Sequence, residues 1–234
     1  MDETVQSGIG RARYGKRLDS LVRPRLGSDT VIAAPKTARG RATRERIVTA
    51  ASDLIHERGV AETSVDDVIQ RAGASKSQLY HYFEDRGALL RAVVAYNADG
   101  VVFDLPSLDG WKAIRSWFDA LVALQVERRA CGGCPIGSLV GQLAESDEDA
   151  RLALAHSFER WHARLRDGLR SMQRSGKLDP SANPDELATA TLAAIQGGLL
   201  LTQAQHDPAP LATALDAAYA NLRAHASRGR ARAV

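Results

Sequence analysis

The sequence predicts an all-α protein with a small N-terminal tri-helical helix-turn-helix domain and a larger C-terminal helical domain. Apolar residues recur with helical periodicity from about residue 43 to near the end of the 234-residue chain. Capping residues and glycines divide residues 43–94 into three short helices and the start of a fourth. Longer helices without a sequence repeat follow, and aliphatic residues, alanine above all, are abundant.

The first two predicted helices are bounded by residues that end and start helices. Gly59 follows the last apolar position of the first helix and can adopt the left-handed conformation that ends a helix. Thr63 and Ser64 can cap the second helix. The apolar faces comprise Ile47, Ala50, Ala51, Leu54 and Ile55 in the first helix, and Val65, Val68, Ile69 and Ala72 in the second.

The third predicted helix is very short and is rich in polar and aromatic residues. Gly73 permits a tight turn before it, and Ser75 can cap it together with Gln78 in a reciprocal capping box. Leu79 and Phe83 are expected to face inward. The residues left on the outer face are Lys76, Ser77, Gln78, Tyr80 and His81.

These outward residues have the chemistry of a DNA contact. Glutamine can bond bidentately to an adenine edge, serine can bond a base or a phosphate, and lysine neutralises phosphate. The alternative is an ordinary amphipathic helix with a solvated polar face. The capped three-helix array favours DNA binding, because such arrays place one short helix in the major groove.

Residues 40–94 resemble the N-terminal domain of TetR-type transcriptional regulators. Three runs carry the resemblance: TSVDDV at 63–68, AGASK at 72–76 and LYHYF at 79–83. Relatives usually carry lysine at the start of the fourth helix, near the DNA backbone, and this chain has Arg86 there. The residues that the resemblance places at DNA are Thr63, Ser64, Ser75, Lys76, Ser77, Gln78, Tyr80, His81 and Arg86.

Charge is distributed unevenly along the chain. Residues 1–46 carry eleven Lys or Arg against five Asp or Glu, whereas the whole chain has a formal net charge of only +3. Glycines and prolines interrupt residues 1–38, which we expect to be a disordered basic extension. Arg39, Arg41 and Arg44 could form an arm that contacts phosphate or enters a minor groove, and a solvated extension is the alternative.

The rest of the sequence predicts helices over residues 111–129, 135–144, 148–175, 184–206 and 210–226. A helix over about 85–102 joins them to the N-terminal helix-turn-helix domain. We therefore assign residues 39–86 to a DNA-binding domain, called the head below. Residues 87–227 are assigned to an effector-binding and dimerisation domain, called the body. Residues 228–234 are expected to be a flexible basic tail.

Two of the late helices have small or apolar faces suited to helix pairing. The resemblance implies that two late helices of each subunit form a four-helix dimer interface, and a two-fold dimer also suits a palindromic site. Packing within one protomer is the alternative. The candidate interface residues are Leu165, Leu169, Ala190, Ala194, Gly198, Leu199 and Thr202.

Large residues in the body could line a pocket for a small, largely apolar effector, as the family typically has. Plain core packing is the alternative for each of them. The candidate pocket residues are Phe103, Trp111, Trp117, Phe118, Leu121, Cys134, Leu139, Phe158, Trp161 and His162. His162 and Glu159 form a lone pair of potential ligands with no matching second pair, so no metal site is expected.

Cys131 and Cys134 are separated by two glycines and are the only cysteines. They could form a disulfide, and a helix N-terminus after Cys134 would lower the pKa of its thiol, as a redox or electrophile sensor requires. Alternatively, these cysteines are simply small and buried. A zinc site would need two further ligands, and no second cysteine pair exists.

The motifs of common enzyme classes are missing: no glycine-rich phosphate loop, nucleophile elbow or metalloprotease helix occurs. We expect no cofactor, no membrane association and a cytoplasmic location. The sequence thus predicts a homodimeric, non-enzymatic transcriptional regulator, a repressor released from a palindromic operator by its effector. The alternatives are a thiol-based sensor and a nucleoid-type DNA binder with little sequence preference.

Overall fold

The computed structural model describes residues 35, 37–103 and 107–227, with the side chains of residues 101–103 left out of the description. Most of the predicted N-terminal extension and C-terminal tail therefore lies outside the described residues. Within them the chain forms helices joined by short loops, with no β-strand. The helices are α1 (Ala38–Arg58), α2 (Val65–Ala72), α3 (Lys76–Tyr82), α4 (Arg86–Phe103), α5 (Trp111–Glu127), α6 (Gly137–Leu143), α7 (Glu148–Arg174), α8 (Pro184–Gln205) and α9 (Ala209–Ala224).

Local capping determines where the head helices begin. Ser64 and Asp67 form a capping box at the start of α2, and Ser75 and Gln78 form the predicted one at the start of α3. Gly73 adopts the left-handed conformation, with φ 57° and ψ 39°, in the turn between them. The expected tri-helical head with its helix-turn-helix is confirmed.

The first helix begins at Ala38, five residues before the predicted start, because Thr37 caps it. The Thr37 hydroxyl accepts a hydrogen bond from Gly40 N at 3.0 Å. Arg39, Arg41 and Arg44 consequently lie on α1. These three residues thus lie on a helix and not in an arm that precedes it, and their contact with DNA stays a prediction.

One hydrophobic core continues from the head into the body. In the head, Ile47, Leu54 and Leu79 are fully or almost fully buried. Helix α4 packs on α1 and on α7, so it connects the two parts. Ser52 Oγ of α1 donates to Asn97 Oδ1 of α4 at 2.8 Å, which adds a polar contact between these helices.

Helices α7, α8 and α9 form the centre of the body, with α5 against α9 and α6 against α7. Among the described helices, α8 alone is long and apolar enough to cross a membrane. One side of α8 is buried, because α8 lies against both α7 and α9 and buries Leu187, Ile195 and Leu199. Leu200 and Leu201 on its other side are exposed.

Candidate functional site

The outer face of α3 presents a continuous set of polar and aromatic side chains. Ser75, Lys76, Ser77, Gln78, Tyr80 and His81 are all exposed. Leu79 is completely buried and Phe83 is 2% exposed, so α3 is anchored from its inner side. The anchored helix keeps its outer side chains clear of the protein, where they can meet a nucleic acid.

Basic residues of α1 lie beside α3. A β-carbon on Gly40 would lie 3.5 Å from the Tyr82 hydroxyl, so the start of α1 adjoins the end of α3. The Arg44 guanidinium stands over the Phe83 ring, 5.1 Å from its centroid, and burial lowers the pKa of Arg44 below its ordinary value. Arg39 and Arg41 remain exposed. The exposed cations of α1 and the outer face of α3 therefore form one surface.

Three other candidate DNA-contact residues have roles inside the protein. Thr63 is 5% exposed, and its hydroxyl donates to Gly59 O at 2.7 Å. The exposed Ser64 hydroxyl caps α2 by accepting from Asp67 N at 3.1 Å. Arg86 donates to the carbonyl oxygens of Val60 and Thr63 in the loop between α1 and α2. The charge of Arg86 is thus directed at this loop.

The candidate effector residues form a packed core. The fully or largely buried ones are Trp117, Phe118, Cys134, Leu139 and Trp161, with Trp111, Leu121 and Phe158 packed against them. His162 lies at the edge, where its Nε2 is 3.1 Å from Asp185 O and from Thr189 Oγ1. The Phe103 side chain lies outside the described residues. Most of this set thus belongs to the hydrophobic core of the described residues.

A cleft of about 510 Å³ lies where the head meets the body, lined by Val60, Arg86, Leu90, Gln142, Leu143 and Asp147. Gln142 of α6 spans the junction, because its Oε1 accepts a hydrogen bond from Val60 N at 2.6 Å. The contact of Gln142 could not be predicted from the sequence, since an exposed glutamine on a short helix has no pattern that identifies its partner.

The candidate dimer residues are divided between the inside and the outside of the protomer. Those buried in its own core are Leu165, Leu169, Gly198, Leu199 and Thr202, while Ala190 is exposed and Ala194 is half-buried. Gly198 faces α9, because a β-carbon there would lie 3.0 Å from the Leu211 Cα.

The exposed face of α8 is formed mostly by sequence neighbours of the residues predicted for the dimer interface. Leu200 is 67% exposed and Leu201 50% exposed, next to the exposed Ala193, Gly197 and Ala204. On α9 the exposed small residues are Thr213, Ala217, Ala220 and Ala224. The sequence does indicate a second contact face on α8, because this helix is apolar around its whole circumference, which is typical of a helix packed on two sides.

The two cysteines occupy different environments. Cys131 is exposed, with its Sγ 3.9 Å from His206 Nδ1, whereas Cys134 is buried. Burial raises the pKa of the Cys134 thiol, and this outweighs hydrogen bonds from the backbone at Gly137 and Ile136 and from the Gln196 side chain. The lowered pKa expected for Cys134 is therefore wrong. No group of His, Cys, Asp or Glu suited to a metal ion occurs among the described residues.

Comparison with known proteins identifies both parts of the chain. Residues 47–93 match the family model of bacterial regulatory proteins of the tetR family. Residues 111–217 match the model of the C-terminal domain of LmrA/YxaF-like transcriptional regulators. The two matches correspond to the head with the start of α4, and to the body from α5 onward.

Individual relatives agree with the family models. An uncharacterized HTH-type transcriptional regulator of Mycobacterium tuberculosis is 30% identical over 180 residues, covering 72% of this chain and 88% of that protein. Another, from the lacX 3' region of Lactococcus lactis, is 29% identical over 176 residues, covering 71% and 86%. A TetR regulator structure from Chloroflexus aurantiacus has the same fold, with a TM-score of 0.67 at 23% identity and coverage of 81% and 98%. The chain belongs to the TetR family and is a DNA-binding transcriptional regulator.

Proposed function

We propose that this protein is a cytoplasmic homodimeric repressor that binds a palindromic operator and is released from it by a small effector. The observation that carries the proposal is the anchored helix α3, whose exposed side chains adjoin the cations of α1. The DNA-binding part comprises residues 39–86 and the effector-binding and dimerisation part residues 87–227. No catalytic role is proposed.

Operator recognition is assigned to the outer face of α3. Gln78 and Ser77 suit base edges in the major groove, while Lys76, Tyr80 and His81 suit phosphates at its rim. Arg39 and Arg41 extend the phosphate-binding surface from α1. Gln78 also accepts from Ser75 N at 2.9 Å through its Oε1, so its exposed amide N–H groups stay available to a base edge. Thr63 and Arg86 are left out of this surface, because their polar groups bind the loop before α2.

Dimerisation is assigned to the exposed faces of α8 and α9. Leu200 and Leu201 supply apolar area, and Gly197 has open space beside it into which another helix can approach. A two-fold dimer would place two copies of α3 against successive major grooves about 34 Å apart. These residues are assigned to the interface because they are exposed in the protomer, whereas residues buried in its core cannot contact a partner.

Release of DNA is assigned to a change in the separation of the two heads. The body holds the head through α4 and through the hydrogen bond from Val60 N to Gln142 Oε1. A ligand can shift this arrangement only by binding two conformations with different affinity.

The thiol-sensor alternative has less support. Cys134 is buried with a raised pKa, so its thiolate fraction is small at neutral pH. The nucleoid-type alternative predicts a surface of scattered cations, whereas α3 presents glutamine, serine and tyrosine together. A thiol sensor would release DNA in response to oxidant and lose that response in Cys134→Ser, whereas a nucleoid-type binder would show a steep salt dependence and a small ratio of specific to non-specific affinity.

Selection of bound DNA from a random pool by the purified protein, at near-physiological salt, tests the proposal. We expect enrichment of one palindrome whose half-sites lie one helical turn apart. The Gln78→Ala variant should select a less defined sequence at that position. Recovery of unrelated sequences by the wild-type protein would contradict sequence-specific repression.

A further inference from the structure

The loop between α5 and α6 carries a contact with the first helix of the head. A β-carbon on Gly132 would lie 2.0 Å from His56 Nε2 and 2.2 Å from His56 Cε1, so the imidazole ring packs directly on the Gly132 backbone. Gly132 also has a φ of 84°, a conformation that glycine adopts without strain. Position 132 therefore has no room for a side chain while the His56 ring stays in place.

The next glycine of the same loop faces α8. A β-carbon on Gly133 would lie 2.4 Å from Gln203 Oε1, and the φ of Gly133 is 54°. On the other side of Gly132, the Cys131 Sγ lies 3.9 Å from His206 Nδ1 at the end of α8. The two adjacent glycines thus place one loop between α1 of the head and the helix that we assign to dimerisation.

The His56 contact lies close to the hydrogen bond from Val60 N to Gln142 Oε1. His56 and Val60 are about one helical turn apart in the chain, at the end of α1 and in the loop after it. Helix α4 alone would leave the head free to rotate about that helix, whereas two contacts beside it oppose such a rotation. The end of α1 is therefore held at two points by α6 and by the loop before it.

The charge of the His56 ring determines how favourable this contact is. Burial lowers the pKa of His56 below its ordinary value, Arg128 directly after α5 lowers this pKa further, and Asp53 and Glu57 of α1 oppose the change. Both carboxylate oxygens of Glu57 already accept hydrogen bonds from Arg71 at 3.0 Å. The packed ring is therefore neutral at neutral pH, and its protonation would place a second cation beside Arg128.

The lowered pKa gives the direction of the pH effect. In a detached head, His56 would regain its ordinary pKa of about 6.5. The detached state then binds a proton more readily than the attached state does. Attachment is therefore at full strength above that pH, and it weakens as the pH falls from there towards the lowered pKa of the packed ring.

We propose that His56 is a positioning residue for DNA binding: its neutral ring, packed on Gly132, fixes the head relative to α8, and its protonation releases the head. The inference rests on the proposed two-fold dimer, because only a dimer needs two heads at a defined separation. A released head must be ordered again when both heads bind one palindrome, and this ordering opposes binding. A single head on a half-site has no such requirement.

The first test displaces the ring. Gly132→Ala places a β-carbon where the His56 ring lies, and Gly176→Ala is the matched control, because Gly176 has a φ of 70° and open space beside it. In Gly132→Ala the affinity for the selected palindrome should fall at least about fivefold, the lower end of coupling between two sites. Affinity for a single half-site should stay unchanged, and Gly176→Ala should alter neither value. Unchanged palindrome affinity in Gly132→Ala, or an equal loss at the half-site, overturns the proposal.

The second test needs no DNA. Hydrogen exchange of the peptide covering residues 56–62 includes the Val60 N–H that is bonded to Gln142, so it measures how often the head leaves the body. After correction for the intrinsic exchange rate, wild-type protection should be lower at about pH 5.5 than at about pH 7.5. Glutamine cannot be protonated in this range, so His56→Gln should show no such decrease. The same pH dependence in both proteins, or none in the wild type, overturns the proposal.

The two tests separate the two levels of inference. Failure of the wild-type protein to select a palindrome rejects the proposed function, and hydrogen exchange still decides whether His56 holds the head. Selection of a palindrome together with unchanged affinity in Gly132→Ala rejects the role of His56 alone.

Discussion

Val60 N donates a hydrogen bond to Gln142 Oε1 at 2.6 Å, and this bond joins the loop after the first helix of the head to α6 of the body. Gln142 is itself held in place, because its Nε2 donates to Ser138 O at 2.9 Å within α6. Arg86 binds the carbonyl oxygen of the same Val60. One short loop of the head is therefore fixed from both the body and the connecting helix.

Replacing Gln142 by alanine should weaken this attachment. The variant leaves the Val60 N–H without its partner, so the free energy of unfolding should fall by about 0.5–1.5 kcal/mol. Urea unfolding followed by circular dichroism measures the change. Gln70→Ala, which removes an exposed glutamine of α2, is the control and should change stability little. Equal stability of both variants would mean that the Gln142 bond contributes nothing to holding the head.

Gln78→Glu separates helix capping from DNA recognition. A glutamate at position 78 can still accept from Ser75 N, so α3 should remain folded. It loses the amide donors and repels phosphate, so operator affinity should fall at least tenfold, as expected for a lost base contact of about 1–3 kcal/mol. Fluorescence anisotropy with a labelled operator measures this. Ala155→Glu adds the same charge on the exposed face of α7 and should leave affinity nearly unchanged.

Leu201→Asp should disrupt the proposed dimer. The substitution places a charge on the exposed apolar face of α8, whose burial in an interface would be strongly unfavourable. Light scattering after size exclusion should give the monomer mass for this variant and twice that mass for the wild type. Leu152→Asp alters a leucine of α7 that is 53% exposed and should remain dimeric. A dimeric Leu201→Asp protein would place the interface elsewhere.

The two cysteines should differ in reactivity. Cys131 is exposed and Cys134 is buried, with a raised pKa that keeps it protonated at neutral pH. A thiol reagent at pH 7.5 should therefore label one thiol per folded chain rapidly, and Cys131→Ser should abolish that fast phase. Both thiols should react in denaturant. Rapid labelling of the folded Cys131→Ser protein would restore Cys134 as a candidate sensor.

Local features of the head could be predicted from the sequence because their causes are local. The capping box of Ser75 with Gln78 needs only residues three apart, and Gly73 marks the turn directly. The direction of Arg86 could not be predicted in this way. Its long side chain reaches a loop more than twenty residues earlier, and only the assembled head determines that contact.

The body was less predictable, because its helices are apolar on more than one side. Leu199 is 5% exposed and the next residue, Leu200, is 67% exposed, yet the two look alike in the sequence. The environment of Cys134 illustrates a second difficulty. A helix start lowers a thiol pKa and burial raises it, and the balance depends on packing that the sequence does not specify.

The measurement that tests the central claim most directly is the ratio of dissociation constants for the selected operator and for unrelated DNA of equal length, at 150 mM salt. Specific regulators bind their sites about 10³-fold or more tightly than other DNA. We predict a ratio of at least about 10³ for the wild-type protein, decreasing at least tenfold for Gln78→Glu. A ratio near one would contradict the assignment of α3 as a sequence-reading helix.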